Sequence, residues 1–358
     1  MKSKLVQNLE RLAARGLFAL PPRAQVLISG GKPVVVDGQT LHPEIQILVH
    51  VRNMLGAKGI TDGTHAEARR RFTLEASQYP GPPVDIRGVT DLYVDGAEGK
   101  LAARHYAPRA HEPRPLLVFF HGGGFVVGDI ESHDVVCRLL CHHANIHVLS
   151  VAYRLAPEQP FPAAVDDALA AYRWAVQHAA KTLGTSDVIG VGGDSAGGHI
   201  VAVLAQDLAR AGAAQPAANL LLYPAVCRRK ARPSLAHFAS GFMLTKVDID
   251  TFQRLYTGHL ANDDDIRQRP LDGLAEMKGP LGPSIVVTAA FDPLRDEGDE
   301  YAEALAKLGG VVVHRRIAGF PHGFANLAGA SPKSRAVVVD LAHDLQRLFA
   351  QAPRGSSS

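Results

Sequence analysis

From about residue 116 onward, short runs rich in Val, Leu and Ile alternate with longer stretches whose apolar positions recur every three to four residues. The runs at 116–120, 148–153, 188–192, 220–223, 285–289 and 311–316 are predicted as strands. The stretches at 134–144, 163–183, 196–211, 296–308 and 333–350 are predicted as helices. Such alternation suits a mostly parallel sheet flanked by helices, because parallel strands bury both faces and read as near-continuous apolar runs. Two alternating runs at 86–94 and 101–106 flank Asp95-Gly96-Ala97-Glu98-Gly99, a composition suited to a hairpin turn, and predict an antiparallel edge to the same sheet.

The first 84 residues differ. Helical patterns at 43–55 and 65–77 are broken by Gly- and Pro-containing loops, and Leu5, Leu9, Leu12 and Ala13 fall on one helical stripe near the start. The region 227–274 also interrupts the rhythm, with one helix predicted at 247–260. The expected organisation is an N-terminal helical cap segment at 1–84 and an α/β domain at 85–352, with 227–274 completing the cap. A disordered tail is expected at 353–358.

Composition narrows the function more than the fold. A chain of 358 residues with 46% hydrophobic content can build one large domain with an appended subdomain. A formal net charge of +3 leaves no electrostatic footprint for nucleic acid, so the expected partner is a small, weakly charged molecule. Three cysteines, Cys137, Cys141 and Cys227, do not make a disulfide framework and fit a reducing, cytoplasmic setting. Glu10, Arg11 and Arg15 interrupt the apolar positions that a secretory signal would need, and no run approaches a membrane span. Stable membrane insertion is therefore not expected.

The strongest chemical signal is Gly193-Asp194-Ser195-Ala196-Gly197, between the strand at 188–192 and the helix opening near Ala196. A sharp strand-to-helix turn pushes the Ser195 hydroxyl out at the carboxyl end of the sheet, and flanking glycines remove Cβ atoms that would collide there. The turn also puts the Ala196 amide at a helix N-terminus, where an anion can form. The structural alternative is a glycine turn needed only for close packing. Upstream, the strand at 116–120 runs into His121-Gly122-Gly123-Gly124-Phe125. Consecutive glycines are entropically costly, but they let backbone N–H groups converge on one point. Gly123, Gly124 and Ala196 are the candidate oxyanion donors. No Gly-Lys-Ser/Thr or G-x-G-x-x-G spacing follows to support a nucleotide loop. His121 reads as a loop anchor.

Together these motifs resemble the bacterial hormone-sensitive-lipase-like esterases. The resemblance runs from about Val84 to Phe349 and includes Tyr153-Arg154-Leu155-Ala156-Pro157-Glu158, Phe161-Pro162-Ala163-Ala164, Asp292-Pro293-Leu294-Arg295-Asp296-Glu297-Gly298 and Phe320-Pro321-His322-Gly323-Phe324. His199 departs from the family's usual Asn. The resemblance implies the α/β-hydrolase fold with a helical cap, and a serine ester hydrolase with Ser195 as nucleophile, His322 as base and Asp292 orienting that base. It also implies short- to medium-chain acyl esters as substrates, and the family often forms homodimers. No metal or organic cofactor is implied.

The residues read similarly without the family. Asp292 follows a strand and precedes a proline, on a stiff loop from which a carboxylate can fix an imidazole tautomer. Its alternative role is helix N-cap, for which Asp296 is better placed. His322 lies among Gly319, Pro321 and Gly323 in a loop beyond the strand at 311–316, and the order Ser, Asp, His is the one this fold produces. Amides, thioesters and carbonates use the same machinery. Ligand binding without turnover is the remaining alternative, as in the plant gibberellin receptor, which lacks the histidine. Asp194 and Glu158 are candidate supports of the site. The C-x3-C pair with His142 and His143 lacks the usual zinc spacing, and the acidic run 263–265 reads as a solvated loop.

Overall fold

The computed structural model describes residues 16–227, 231–258 and 265–352. The apolar stripe of residues 5–13, the tail and most of the acidic run lie outside these.

Eight strands form one sheet: β1 (Gly88–Asp95), β2 (Lys100–Ala107), β3 (Leu116–Phe120), β4 (His147–Val151), β5 (Ile189–Asp194), β6 (Asn219–Leu222), β7 (Ser284–Phe291) and β8 (Val312–Pro321). Their spatial order is β8-β7-β6-β5-β3-β4-β2-β1. Within that sheet β2 alone runs against the rest, pairing antiparallel with both β1 and β4, so the expected hairpin does form the edge. Every residue of β3 to β7 is buried, which explains their near-continuous apolar sequences.

Period-two alternation divides the core. Leu116, Val118 and Phe120 face one layer, which holds Ala164, Ala168, Ile200 and Leu204 from α4 (Ala163–Leu183) and α5 (Ala196–Arg210). Leu117 and Phe119 face the other, with Leu140 of α3 (Asp134–Ala144) and Leu341 of α8 (Pro332–Ala350). Between β7 and β8 lies α7 (Arg295–Lys307).

Two segments stand apart from this sandwich. The first carries a short helix at Pro22–Ile28, a two-stranded ribbon of Val35–Val36 with Gln39–Thr40, and helices α1 (Pro43–Met54) and α2 (His65–Ser77). A full capping box at Thr64 and Glu67 starts α2. The second contains α6 (Lys246–Thr257), also opened by a capping box, between Thr245 and Asp248. The Asp248 carboxylate accepts from the amide and hydroxyl of Thr61 at 3.0 and 2.8 Å, tying the two segments together.

β8 is the main departure from expectation. It continues to Pro321 instead of stopping at 316, through an irregularity after Ile317 that includes Gly319 at φ +75°. An edge strand accommodates such a bulge, and a terminal proline there costs no ladder bond that the sheet needs.

Candidate active site

Strand register assembles the site. Phe291 of β7 pairs with Pro321 of β8, so the next residues, Asp292 and His322, leave adjacent parallel strands side by side. Phe120 pairs with Gly193, which brings the loop after β3 against the turn after β5. All four segments emerge at the carboxyl ends of their strands, the edge at which open α/β sheets place ligands.

Ser195 occupies the turn between β5 and α5 with φ 53° and ψ −112°, a conformation that a non-glycine residue adopts only where its surroundings enforce it. The enforcing bonds run from the Ser195 amide to the Leu222 carbonyl (2.8 Å), and from the His199 and Ala225 amides to the Ser195 carbonyl (3.0 and 3.2 Å). A Cβ on Gly197 would stand 1.9 Å from the Phe120 carbonyl oxygen, so only glycine lets helix and strand approach this closely.

His322 Nε2 lies 2.8 Å from Ser195 Oγ, and His322 Nδ1 lies 2.8 Å from Asp292 Oδ2. Asp292 is fully buried, and its other oxygen accepts the Leu294 amide at 2.8 Å. A carboxylate can only accept from Nδ1, so the proton sits there and Nε2 is left to accept from the serine hydroxyl. The helix after Asp292 starts at Arg295 with no side-chain cap, so neither Asp292 nor Asp296 serves as N-cap. Asp296 instead accepts the Ser234 amide at 2.8 Å and pairs with Arg295.

Gly123, Gly124 and Ala196 line the same cavity wall as Ser195. Among the described residues, the Gly123 and Gly124 amides have no acceptor, and the first amides of any helix lack an intrahelical one. Gly123 has φ +115°, and a Cβ there would stand 2.1 Å from the Val127 carbonyl oxygen.

Asp194 holds this loop in place. Its Oδ1 accepts the Gly122 amide at 2.8 Å and lies 3.2 Å from His133 Nε2, with all three residues buried. Burial alone would lower the His133 pKa, but the adjacent carboxylate raises it above the ordinary imidazole value. Burial would raise Asp194, but His133 and the Gly122 amide hold it below the usual carboxylate value. His121 stays off the reacting groups, with Nδ1 at 2.8 Å from the Gly122 carbonyl and burial driving its pKa down to about 4. Glu158 does not support the site: it is half exposed and pairs with Arg69 of α2. His199 is buried, its two ring nitrogens at 2.7 and 2.8 Å from the carbonyls of Ala225 and Arg267.

Two contributors carry no motif. Tyr223, at the end of β6, packs edge-on against the His322 ring with centroids 4.8 Å apart, and His133 supports Asp194. Only the positive φ of Tyr223 and the burial of His133 single them out, and both are properties of the fold.

A cavity of about 590 Å³ opens above Ser195. Ile47 and Val51 of α1, Phe72 of α2 and Phe252 of α6 line it, together with Leu17 and Phe18. Phe252 abuts Gly124, where a Cβ would meet its ring at 2.2 Å. The wall is mainly apolar, as in a site for a small uncharged ligand.

Residues 117–326 match the α/β-hydrolase fold family. The chain is 43% identical over 320 residues to the carboxylic ester hydrolase LipN of Mycobacterium tuberculosis, covering 86% of this chain and 83% of LipN. It is 32% identical over 314 residues to an arylesterase of Saccharolobus solfataricus, covering 86% and 99%. An ester hydrolase from the metagenome of Lake Arreo superposes with a TM-score of 0.81 at 33% identity, covering 87% of this chain and all of that one. The chain belongs to the α/β-hydrolase family, in its hormone-sensitive-lipase-like branch of carboxylic ester hydrolases.

Proposed function

We propose that Ser195, His322 and Asp292 hydrolyse carboxylic esters through an acyl-enzyme. The observation that carries this reading is the pair of 2.8 Å contacts linking hydroxyl, imidazole and buried carboxylate in one line. Ser195 Oγ attacks the ester carbonyl carbon as its proton passes to His322 Nε2. The negative charge that forms on the carbonyl oxygen faces the amides of Gly123, Gly124 and Ala196. His322 then protonates the departing alcohol, and a water deprotonated by the same nitrogen releases the acid and restores Ser195.

The described parts of the segments 1–84 and 227–274 form the cap over this chemistry, a reading supported by the residues both place along the cavity. A mainly apolar cavity of about 590 Å³ favours short to medium acyl chains over long triglycerides. The three cysteines are free and buried, which supports a cytoplasmic setting; among the described residues no helix is long and apolar enough to cross a membrane. The family's habit of pairing supports a homodimer. Steady-state hydrolysis of aryl esters from acetate to dodecanoate tests the reading: kcat/KM should peak at four to eight carbons, and a chain that turned over none of them would not be an esterase.

A further inference from the structure

Besides the partly exposed Arg52–Glu75 pair, the cavity wall contains a buried charged corner. Glu297, in the first turn of α7, and Arg232, just before the short helix Pro233–His237, both line the cavity, with side chains only 7% and 6% exposed. Glu297 Oε1 is taken up by the structure, accepting the amides of Val226 and Cys227 at 2.7 and 3.1 Å. Oε2 is not: among the described residues it accepts no hydrogen bond, and the Arg232 Nη1 cation stands 4.0 Å away. Arg232 is itself held by Glu300 through Nε at 2.9 Å and Nη2 at 2.7 Å. Nothing in the ester chemistry uses this carboxyl group. An acceptor that faces a cavity with no protein donor is open to a donor on a ligand, and a ligand that covers it without supplying one leaves it unsatisfied at a cost in free energy.

We propose that Glu297 is a specificity-determining residue that accepts a hydrogen bond from a hydroxyl group on the substrate, so that the preferred esters are hydroxy esters. This rests on the proposed esterase activity and adds the substrate class. The charges around the corner select among donors. An ammonium group would satisfy Glu297 but stand beside Arg232, and a carboxylate would satisfy Arg232 but stand beside Glu297. A neutral hydroxyl incurs neither repulsion. The apolar neighbours Leu235, Leu294 and Pro293 accommodate the methylene chain carrying it.

The test is kcat/KM at pH 8.5, above the value of about 7 to which burial raises the Glu297 carboxyl, so that Oε2 is an ionised acceptor, for ethyl esters of hydroxy-, methoxy- and unsubstituted alkanoic acids of matched length, from four to eight carbons. A mirrored series carries the substituent on the alcohol, and both use the full chain. Glu297→Gln is nearly isosteric. Its amide oxygen can keep the Val226 and Cys227 amides, which leaves an NH2 donor where Oε2 accepted. Wild type should favour hydroxy over methoxy about tenfold or more at the best length, the worth of one hydrogen bond to a charged group. In Glu297→Gln that ratio should fall to one or below. A ratio is insensitive to the amount of folded enzyme, so a variant that loses all esters by one factor would show Glu297 to be a scaffold residue and overturn the proposal. Wild-type parity between hydroxy and methoxy esters at every length would overturn it whether or not the variant folds. Failure to hydrolyse even ethyl butanoate would instead count against the esterase reading.

Discussion

Asp292→Asn is the sharpest probe of how the imidazole is held. Oδ1 of Asp292 accepts the Leu294 amide at 2.8 Å, and Oδ2 accepts from His322 Nδ1 at 2.8 Å. An asparagine has one acceptor for these two donors. If its oxygen keeps the Leu294 amide, its NH2 faces Nδ1 and drives the His322 proton to Nε2, where the ring donates to Ser195 and can no longer take its proton. If the amide flips, the NH2 opposes the Leu294 N–H in a fully buried site, which costs about 1–3 kcal/mol. Either way the negative charge that steadies the imidazolium is gone. The two losses together predict a fall in kcat of about 10⁴, or about 5 kcal/mol of transition-state stabilisation. Stopped-flow hydrolysis of p-nitrophenyl butanoate measures it, with circular dichroism to establish that the variant is folded. A folded Asp292→Asn enzyme within tenfold of wild type would refute the argument, because Asp292 would then not set the tautomer.

Other perturbations follow from the same geometry. Ser195→Ala and His322→Ala should each lower kcat by roughly 10⁴ to 10⁶, and the double variant should be hardly worse than either, since members of a triad act as a unit; multiplying losses would count against a shared step. Gly123→Ala places a Cβ 2.1 Å from the Val127 carbonyl oxygen at φ +115°, so the backbone must move and kcat should drop by about 10² to 10³ as an oxyanion donor is displaced; unchanged kcat in a folded variant would remove Gly123 from that role. Glu297 is buried, and burial raises its pKa from 4.5 to about 7. The folded state therefore keeps a proton that the unfolded state loses between those values, and stability falls as pH rises through that window. Urea denaturation at pH 5 and pH 8 should show wild type losing on the order of a few kcal/mol relative to Glu297→Gln; equal pH dependence in both would show that the carboxyl is not perturbed.

The legible parts of this protein are those whose causes are local. Asp134–Ala144 and Ala163–Leu183 carry their own 3.6-residue periodicity, and Leu116–Phe120 is an uninterrupted apolar run, so the structure keeps their expected bounds. Gly197 and Gly123 are informative because each lets the backbone adopt a path that a Cβ would block. β8 ran past its expected end because pairing with β7, a property of the sheet, carried it through a bulge to Pro321. Tyr223 against His322, and His133 beneath Asp194, join residues separated by scores of positions, and no local pattern marks such partners. The corner of Arg232 and Glu297 is of the same kind. Glu297 stands within a motif, but the orientation of its second oxygen depends on where the chain between β6 and β7 returns.

Ser195 is the residue on which the chemistry depends. Among the described residues it alone combines a strained turn, a histidine at 2.8 Å and adjacent amides able to hold an oxyanion, so it should react with an aryl organophosphate while every other serine remains untouched. Intact-mass measurement after treatment, followed by peptide mapping, should find one phosphoryl adduct, located on the peptide containing Gly193-Asp194-Ser195-Ala196-Gly197 and absent from Ser195→Ala. An adduct on a different serine, or none in folded and untreated-active protein, would contradict the central claim.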